Sequence, residues 1–185
     1  MTIPLSERRR AARHRRALAY WGVIIALYVS LWLGASLMPP YWMHVTMLFG
    51  HLASIIVGLG ATVLLEVHGV LWARDRQSLA DLRRIEPSVS ALAWIGILGL
   101  FASGAFLEPN LDDPLTAVKM IAVLVVALNG VAMTRLTADL KRLPPGARFT
   151  SLPVRLRMWC IWSAMVSQVG WWTAVIIGMV NTALR

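Results

Sequence analysis

Residues 42–72 read WMHVTMLFGHLASIIVGLGATVLLEVHGVLW, and this stretch decides the fold of the chain. Within residues 45–65 the one ionisable side chain is that of His51. An apolar run of this length is typical of a membrane-spanning helix. Trp42 and Trp72 bracket the run as aromatic residues do at a membrane surface. The stretch therefore predicts a helix that crosses a lipid bilayer.

The composition of the whole chain indicates the same class. Of its 185 residues, 58% are hydrophobic and 15% are charged, whereas a soluble protein has about 25% charged residues. The net charge of +9 is carried by short segments beside the apolar runs, which is typical of membrane proteins and not of a nucleic-acid-binding face. The single cysteine, Cys160, excludes an internal disulfide. We therefore predict a membrane protein with no nucleic-acid partner.

Four further apolar runs predict an all-α integral membrane protein with five transmembrane helices. A basic cytoplasmic tail, residues 1–16, precedes a single transmembrane domain, residues 17–185. The predicted spans are residues 17–38, 42–72, 88–107, 115–136 and 158–181. Pro87 is expected at the start of the third span, where its missing N–H costs nothing.

The distribution of Lys and Arg predicts the orientation of these helices. All but Lys119 and Arg185 lie within residues 8–16, 74–84 and 135–157. Cytoplasmic segments of membrane proteins are enriched in Lys and Arg. We therefore expect these three segments in the cytoplasm, with the N-terminus inside and the C-terminus outside.

Three side chains near the outer end of the central helix are candidate metal ligands. His44, Met47 and His51 lie along one helical face. Thioether and imidazole groups suit Cu(I), and imidazole also binds copper(II) and haem iron. His51 is the strongest candidate because ionisable groups at membrane depth are rare and costly. The alternative is that the methionine fills a gap in an apolar core and that His51 hydrogen-bonds a neighbouring helix.

Lys119, in the outer half of the fourth span, is a further candidate. Its side chain either extends to the membrane surface or anchors an anion: a haem propionate, a lipid phosphate, or one of Asp112 and Asp113. His68 lies about 25 Å from His51 along the helix, so it cannot share a metal ion with it. Glu66 is expected to pair with an arginine of a cytoplasmic link.

Two polar patterns predict contacts between helices. Gly50, Ser54 and Gly58 recur at every fourth position, and such a face lets a neighbouring backbone approach closely. Asn129 and Gln168 lie deeper in their spans, where amides usually bridge helices.

Several segments resemble a group of small bacterial membrane proteins. The first is HLASIIVGLGAT at residues 51–62, which resembles their histidine helix. The other segments are WIG and SG within residues 94–104, KMIAVLVVALNG at residues 119–130, and the pair Trp171-Trp172. More distantly, the layout is similar to copper-resistance protein D and to the HemJ-type protoporphyrinogen oxidases. Both carry a histidine near the start of one helix and a lysine near the start of a later one, and His51 and Lys119 match these positions. The resemblance covers spans 2–5, so it implies a four-helix core with an extra N-terminal span.

These observations predict a protein of the bacterial cytoplasmic (inner) membrane that binds copper or haem b in the outer half of the membrane. Metal handling or membrane redox chemistry is the expected function, and no catalytic residue is predicted. The candidate cofactor-binding residues are His51, Lys119 and His44, and the candidate metal ligands are His51, His44 and Met47. The alternative is a non-catalytic accessory subunit. The expected partners are the lipid bilayer and either further copies of the chain or a larger membrane complex. An enzyme that oxidises a tetrapyrrole is implied by the HemJ-type similarity alone.

Overall fold

A computed structural model describes residues 5–183, and this part of the chain folds into helices without strands. The five long helices are α1 (Leu5–Ser36), α2 (Tyr41–Ala73), α3 (Leu79–Gly104), α4 (Pro114–Leu140) and α5 (Val154–Ala183). A short 3₁₀ helix, Phe149–Ser151, precedes α5. Each long helix is long and apolar enough to cross a membrane. The predicted all-α, multi-pass architecture is thus confirmed, while Arg185 lies outside the described residues.

The links between the helices gather at two ends of the bundle. Trp72 at the end of α2, Leu79 at the start of α3 and Leu152 before α5 are buried together. We call this end, with the start of α1 and the links 74–78 and 141–153, the basic end. The opposite end carries the turn 37–40 and the loop 105–113, and we call it the acidic end. The structure therefore places the segments rich in Lys and Arg on one side of the bundle.

The third helix begins earlier than the sequence indicates. It starts at Leu79, directly after a capping box formed by Ser78 and Asp81. The backbone N–H of Asp81 donates to the Ser78 hydroxyl, and the backbone N–H of Ser78 donates to the Asp81 carboxylate. Leu79 and Leu82 are buried against Trp72. The prediction that Pro87 starts this helix is therefore wrong, since Pro87 lies inside it. The cap and the buried leucines stabilise this added segment, and the proline removes a single backbone hydrogen bond from it.

The first and fifth helices also extend beyond their apolar segments. Within the described residues, α1 begins at Leu5, so most of the basic tail is helical. Residues 5–16 contain no glycine or proline and are rich in arginine and alanine, which are strong helix formers. The helix α5 begins at Val154, directly after Pro153. The changes from polar to apolar sequence near residues 16 and 158 therefore do not mark the starts of α1 and α5.

The core is formed by all five helices. The most extensive contacts are between α2 and α3 and between α4 and α5. The helix α1 packs against α3 and α4. Val23 and Leu27 of α1 are buried with Phe101 of α3, Val126 of α4 and Trp171 of α5. The first helix, which the resemblance implies is additional, thus contributes side chains to the same core.

The outside of the bundle is apolar. Ile56 of α2, Leu98 of α3 and Val169 of α5 are exposed by 73%, 56% and 65%. Continuous apolar surface of this kind is rare on soluble monomers and is what contact with lipid tails requires. The lipid bilayer is therefore a partner of this chain.

Trp72, which the sequence predicts as an interfacial residue, is covered by other parts of the bundle. It is 3% exposed, its Nε1–H donates to the carbonyl oxygen of Ala147 at 2.9 Å, and its ring meets Phe149 edge-on at 5.2 Å. The reason is that the link between α4 and α5 folds back over the end of α2. Trp42, at the other end of the same helix, is 68% exposed, as expected for an interfacial residue.

Candidate functional site

The candidate site begins with a close contact between α2 and α3. A Cβ atom on Gly58 would lie 3.3 Å from the Cα of Gly96 and 2.6 Å from the Trp171 ring. One turn away, Gly99 lies against Ser54. The predicted small-residue face is therefore confirmed at Ser54 and Gly58, and this contact brings His51 against the last turns of α3.

His51 is held in a defined tautomer by Ser103 of α3. The His51 Nδ1 lies 2.9 Å from the Ser103 Oγ, which lies 2.5 Å from the carbonyl oxygen of Gly99. Because a carbonyl oxygen can only accept, the Ser103 hydroxyl donates to Gly99 and accepts from the Nδ1–H of His51. In neutral His51 the lone pair therefore resides on Nε2, which is the atom that can bind a metal ion.

His51 lines a cavity of about 50 Å³ towards the acidic end. Most of its wall is apolar, with Leu27, Ile55 and Phe101 among the lining residues. The lining side chains with polar or sulfur atoms are Ser30, His51, Lys119, Met120 and Trp171. The Ser30 hydroxyl donates to the carbonyl oxygen of Phe101 at 2.6 Å and is thereby used for packing.

The structure brings His51 and Lys119 together, although they lie on different helices. Both residues line this cavity. These are the two positions on which the resemblance depends. The sequence-based placement of both in the same half of the membrane agrees with this geometry.

Trp171, which lines the cavity, carries a buried indole N–H. The residue is 2% exposed, and its Nε1 has no hydrogen-bond partner within the described part of the chain. A buried N–H without an acceptor costs free energy of folding, about 1–3 kcal/mol.

Asp113, one of the proposed partners of Lys119, has another role. Its carboxylate caps α4 by accepting from the Thr116 hydroxyl at 2.7 Å and from the backbone N–H of Thr116 at 3.0 Å. The Asn181 amide of α5 also donates to it, at 3.3 Å. The Thr116 hydroxyl is the main reason why the pKa of Asp113 lies below its ordinary value. The carboxylate thus joins the start of α4 to the end of α5.

His44 and Met47 do not line this cavity. They lie further along α2, towards the acidic end, and are half-buried. Within residues 5–183, no three His, Cys, Asp or Glu side chains come together as a metal-binding group. His44 and Met47 remain predicted ligands, and the cavity itself is lined by His51 and Met120.

The two ionisable residues near the basic end lie apart from the cavity. His68 hydrogen-bonds through Nδ1 to the carbonyl oxygen of Leu64 on its own helix, at 2.9 Å. Glu66 of α2 lies near the side chains of Ser167 and Gln168 of α5. Among the described residues the ion pairs are Lys141–Glu86 and Arg142–Asp139, so the expected pairing of Glu66 with an arginine is not present there.

Asn129 bridges helices as predicted. Its amide nitrogen donates to the backbone carbonyl oxygen of Ser163 on α5, and its amide oxygen accepts from the Ser163 hydroxyl, both at 2.8 Å. This reciprocal pair fixes the register between α4 and α5, on which Lys119, Met120 and Trp171 are carried.

Sequence reasoning did not assign Ser103, Met120 or Trp171 to the site. Ser103 is recognisable as a small residue and Met120 as a neighbour of Lys119, but neither pattern shows which helix it faces. Comparisons with protein-family models, curated proteins and solved structures found no match to this chain.

Proposed function

We propose that this protein binds a copper(I) ion through His51 and handles copper in the inner membrane of a bacterium. The observation that carries the proposal is the hydrogen bond from the His51 Nδ1–H to Ser103. Metal-binding histidines almost always donate their second ring N–H to a protein or water acceptor, which orients the ring and fixes the tautomer. The hydrogen bond to Ser103 thus leaves the lone pair of the His51 Nε2 available to a metal ion.

The other groups in the cavity favour a soft, small ligand. Met120 supplies a thioether, and thioether with imidazole is a donor set that selects Cu(I). Pockets for drug-sized ligands and cofactors enclose roughly 300–1,000 Å³, whereas this cavity of about 50 Å³ holds an ion or a few water molecules. Haem b, the other expected cofactor, does not fit within this cavity. Copper is therefore favoured over haem.

Lys119 and Trp171 give the site its electrostatic character. A positive charge beside a bound cation lowers its affinity, so Lys119 favours release of the ion over permanent storage. The Trp171 Nε1–H offers a hydrogen bond to a water molecule or anion beside the ion. Copper, when bound, would supply one-electron redox chemistry. The protein groups would position the ion and release it. This character supports a role in copper handling.

The test is a Cu(I) titration of the purified protein against a competing chelator under reducing conditions. We expect His51→Ala to abolish binding, and Ser103→Ala to weaken it by about 10–100-fold, as loss of a hydrogen-bonded partner of a metal ligand does. His44→Ala should cause a smaller loss than His51→Ala. His68→Ala is the matched control, since it removes an imidazole from the same helix about 25 Å away, and it should bind as wild type does.

Other outcomes would contradict the proposal. Equal Cu(I) affinity of wild type and His51→Ala excludes His51 as the ligand. A Soret band in wild type supplied with haem, absent from His51→Ala, would favour haem binding and an opening of the cavity. Binding of neither copper nor haem would favour the accessory-subunit alternative.

A second variant separates copper from an anionic ligand. Lys119→Met removes the positive charge and adds a thioether, so we expect Cu(I) affinity to rise by at least severalfold. Lys141→Met, at the basic end, makes the same change away from the cavity and should leave affinity unchanged. A loss of cofactor retention in Lys119→Met would instead show that the ammonium anchors an anion.

A further inference from the structure

A larger groove lies between α1, α3 and α4, towards the basic end. Its volume is about 650 Å³. On the α1 side the groove is lined mainly by small residues, namely Ala12, Ala19, Gly22 and Ala26. The facing side is largely apolar and includes Trp94, Leu98, Phe101 and Val131. The groove is therefore a long, mainly apolar depression in the surface that faces lipid.

Three arginines line this groove, namely Arg15 and Arg16 of α1 and Arg135 of α4. Within the described residues the ion pairs are Lys141–Glu86 and Arg142–Asp139, so none of the three arginines is paired with an acid. The Arg135 guanidinium lies 5.6 Å from the centroid of the Trp159 ring, a distance typical of a cation–π contact. The groove thus combines an apolar wall with an unneutralised basic cluster.

We propose that this groove binds one anionic phospholipid from the leaflet at the basic end. Its phosphate would lie at Arg15, Arg16 and Arg135, and an acyl chain would lie along the small residues of α1. Basic pockets between transmembrane helices are recognised sites for anionic headgroups. Lipid binding here does not depend on copper binding. The groove and the His51 cavity have different lining residues apart from Phe101, which lines both.

The dimensions of the groove match one leaflet. From Arg16 to Ala26 the helix rises about 15 Å, and half of the hydrocarbon thickness of a bilayer is also about 15 Å. A small soluble anion would account for the arginines but would leave the apolar wall uncovered. A phospholipid satisfies both parts of the groove at once.

The test measures lipid binding to the delipidated protein in detergent, by native mass spectrometry. We expect phosphatidylglycerol to bind at least tenfold more tightly than phosphatidylcholine. In R16Q/R135Q the phosphatidylglycerol affinity should fall by about 25-fold, at about fivefold for each arginine, while the phosphatidylcholine affinity stays the same. R148Q/R155Q is the matched control, since it removes two exposed arginines outside the groove, and it should bind as wild type does.

A second variant tests the apolar wall. A Cβ atom on Gly22 would meet nothing within 4 Å, so Gly22→Leu is tolerated by the fold and fills the groove. We expect it to lower lipid binding at least tenfold, whereas Gly60→Leu, at an equally open position on α2, should not.

Three results would overturn the proposal. One is equal affinity for the two lipids. Another is competition by glycerol phosphate as strong as that by phosphatidylglycerol, which would show a soluble-anion site. The third is a dimer of this chain that Gly22→Leu disrupts while lipid binding persists, which would show that a second copy occupies the groove.

Discussion

At the scale of single residues, hydrogen bonds determine what each polar group in this bundle can do. His51 and His68 are both histidines of α2, yet His51 donates to a side chain of another helix and His68 to its own backbone. The first arrangement orients the ring towards a cavity, while the second holds it along α2. Residue type alone therefore does not distinguish a candidate ligand from a locally satisfied histidine.

Asp113 provides a prediction at this scale. Because its pKa is lowered by hydrogen bonds present in the fold, its carboxylate stabilises the folded state above the ordinary carboxyl pKa. This contribution is lost as the pH falls through the lowered value. Asp113→Ala should therefore reduce the thermal stability at neutral pH, and the difference from wild type should shrink in acid.

The measurement is the unfolding temperature in detergent across a pH series. Asp112→Ala is the control, since it removes an exposed acid from the neighbouring position and should have little effect at any pH. A stability loss in Asp113→Ala that does not change with pH would contradict the role given to the charged carboxylate.

At the scale of elements, close packing of α2 on α3 positions the site. Gly58 lies against Gly96 and Trp171, and no larger residue fits there. Gly58→Leu should destabilise the fold by about 1–3 kcal/mol, the usual cost of overpacking. Trp171 would also be displaced, so Cu(I) binding should weaken.

Gly60→Leu is the matched comparison for this prediction. It makes the same substitution two residues away on the same helix, at a position open to the outside. Thermal unfolding in detergent should show a loss for Gly58→Leu and little change for Gly60→Leu. Equal unfolding temperatures would mean that α2 and α3 are not in close contact at Gly58.

At the scale of the whole molecule, the bundle has a basic end and an acidic end. Because basic segments of membrane proteins stay in the cytoplasm, we predict that the basic end faces inwards. In a Cys160→Ser background, Asp112→Cys should react with a membrane-impermeant thiol reagent in intact cells. Arg148→Cys should react only after lysis. The reverse pattern of labelling would show the opposite orientation.

The sequence by itself determined the number and approximate position of the membrane spans, because the free energy of burial in lipid depends on the length of each apolar run. It also indicated the contact face at Ser54 and Gly58 and the bridging role of Asn129. These features follow from local properties: hydrophobicity, the size of a side chain, and a polar group that needs a partner away from water.

Tertiary structure decided which groups meet. Ser103, Met120 and Trp171 join His51 and Lys119 because α3, α4 and α5 pack with one particular rotation and register. Helices in a membrane are apolar on their lipid-facing and protein-facing sides alike, so hydrophobic periodicity does not show which face meets which neighbour. The same reason explains Trp72 and Glu66, whose partners come from distant segments of the chain. The spans were therefore readable from local sequence, whereas the site required the packing of the whole bundle.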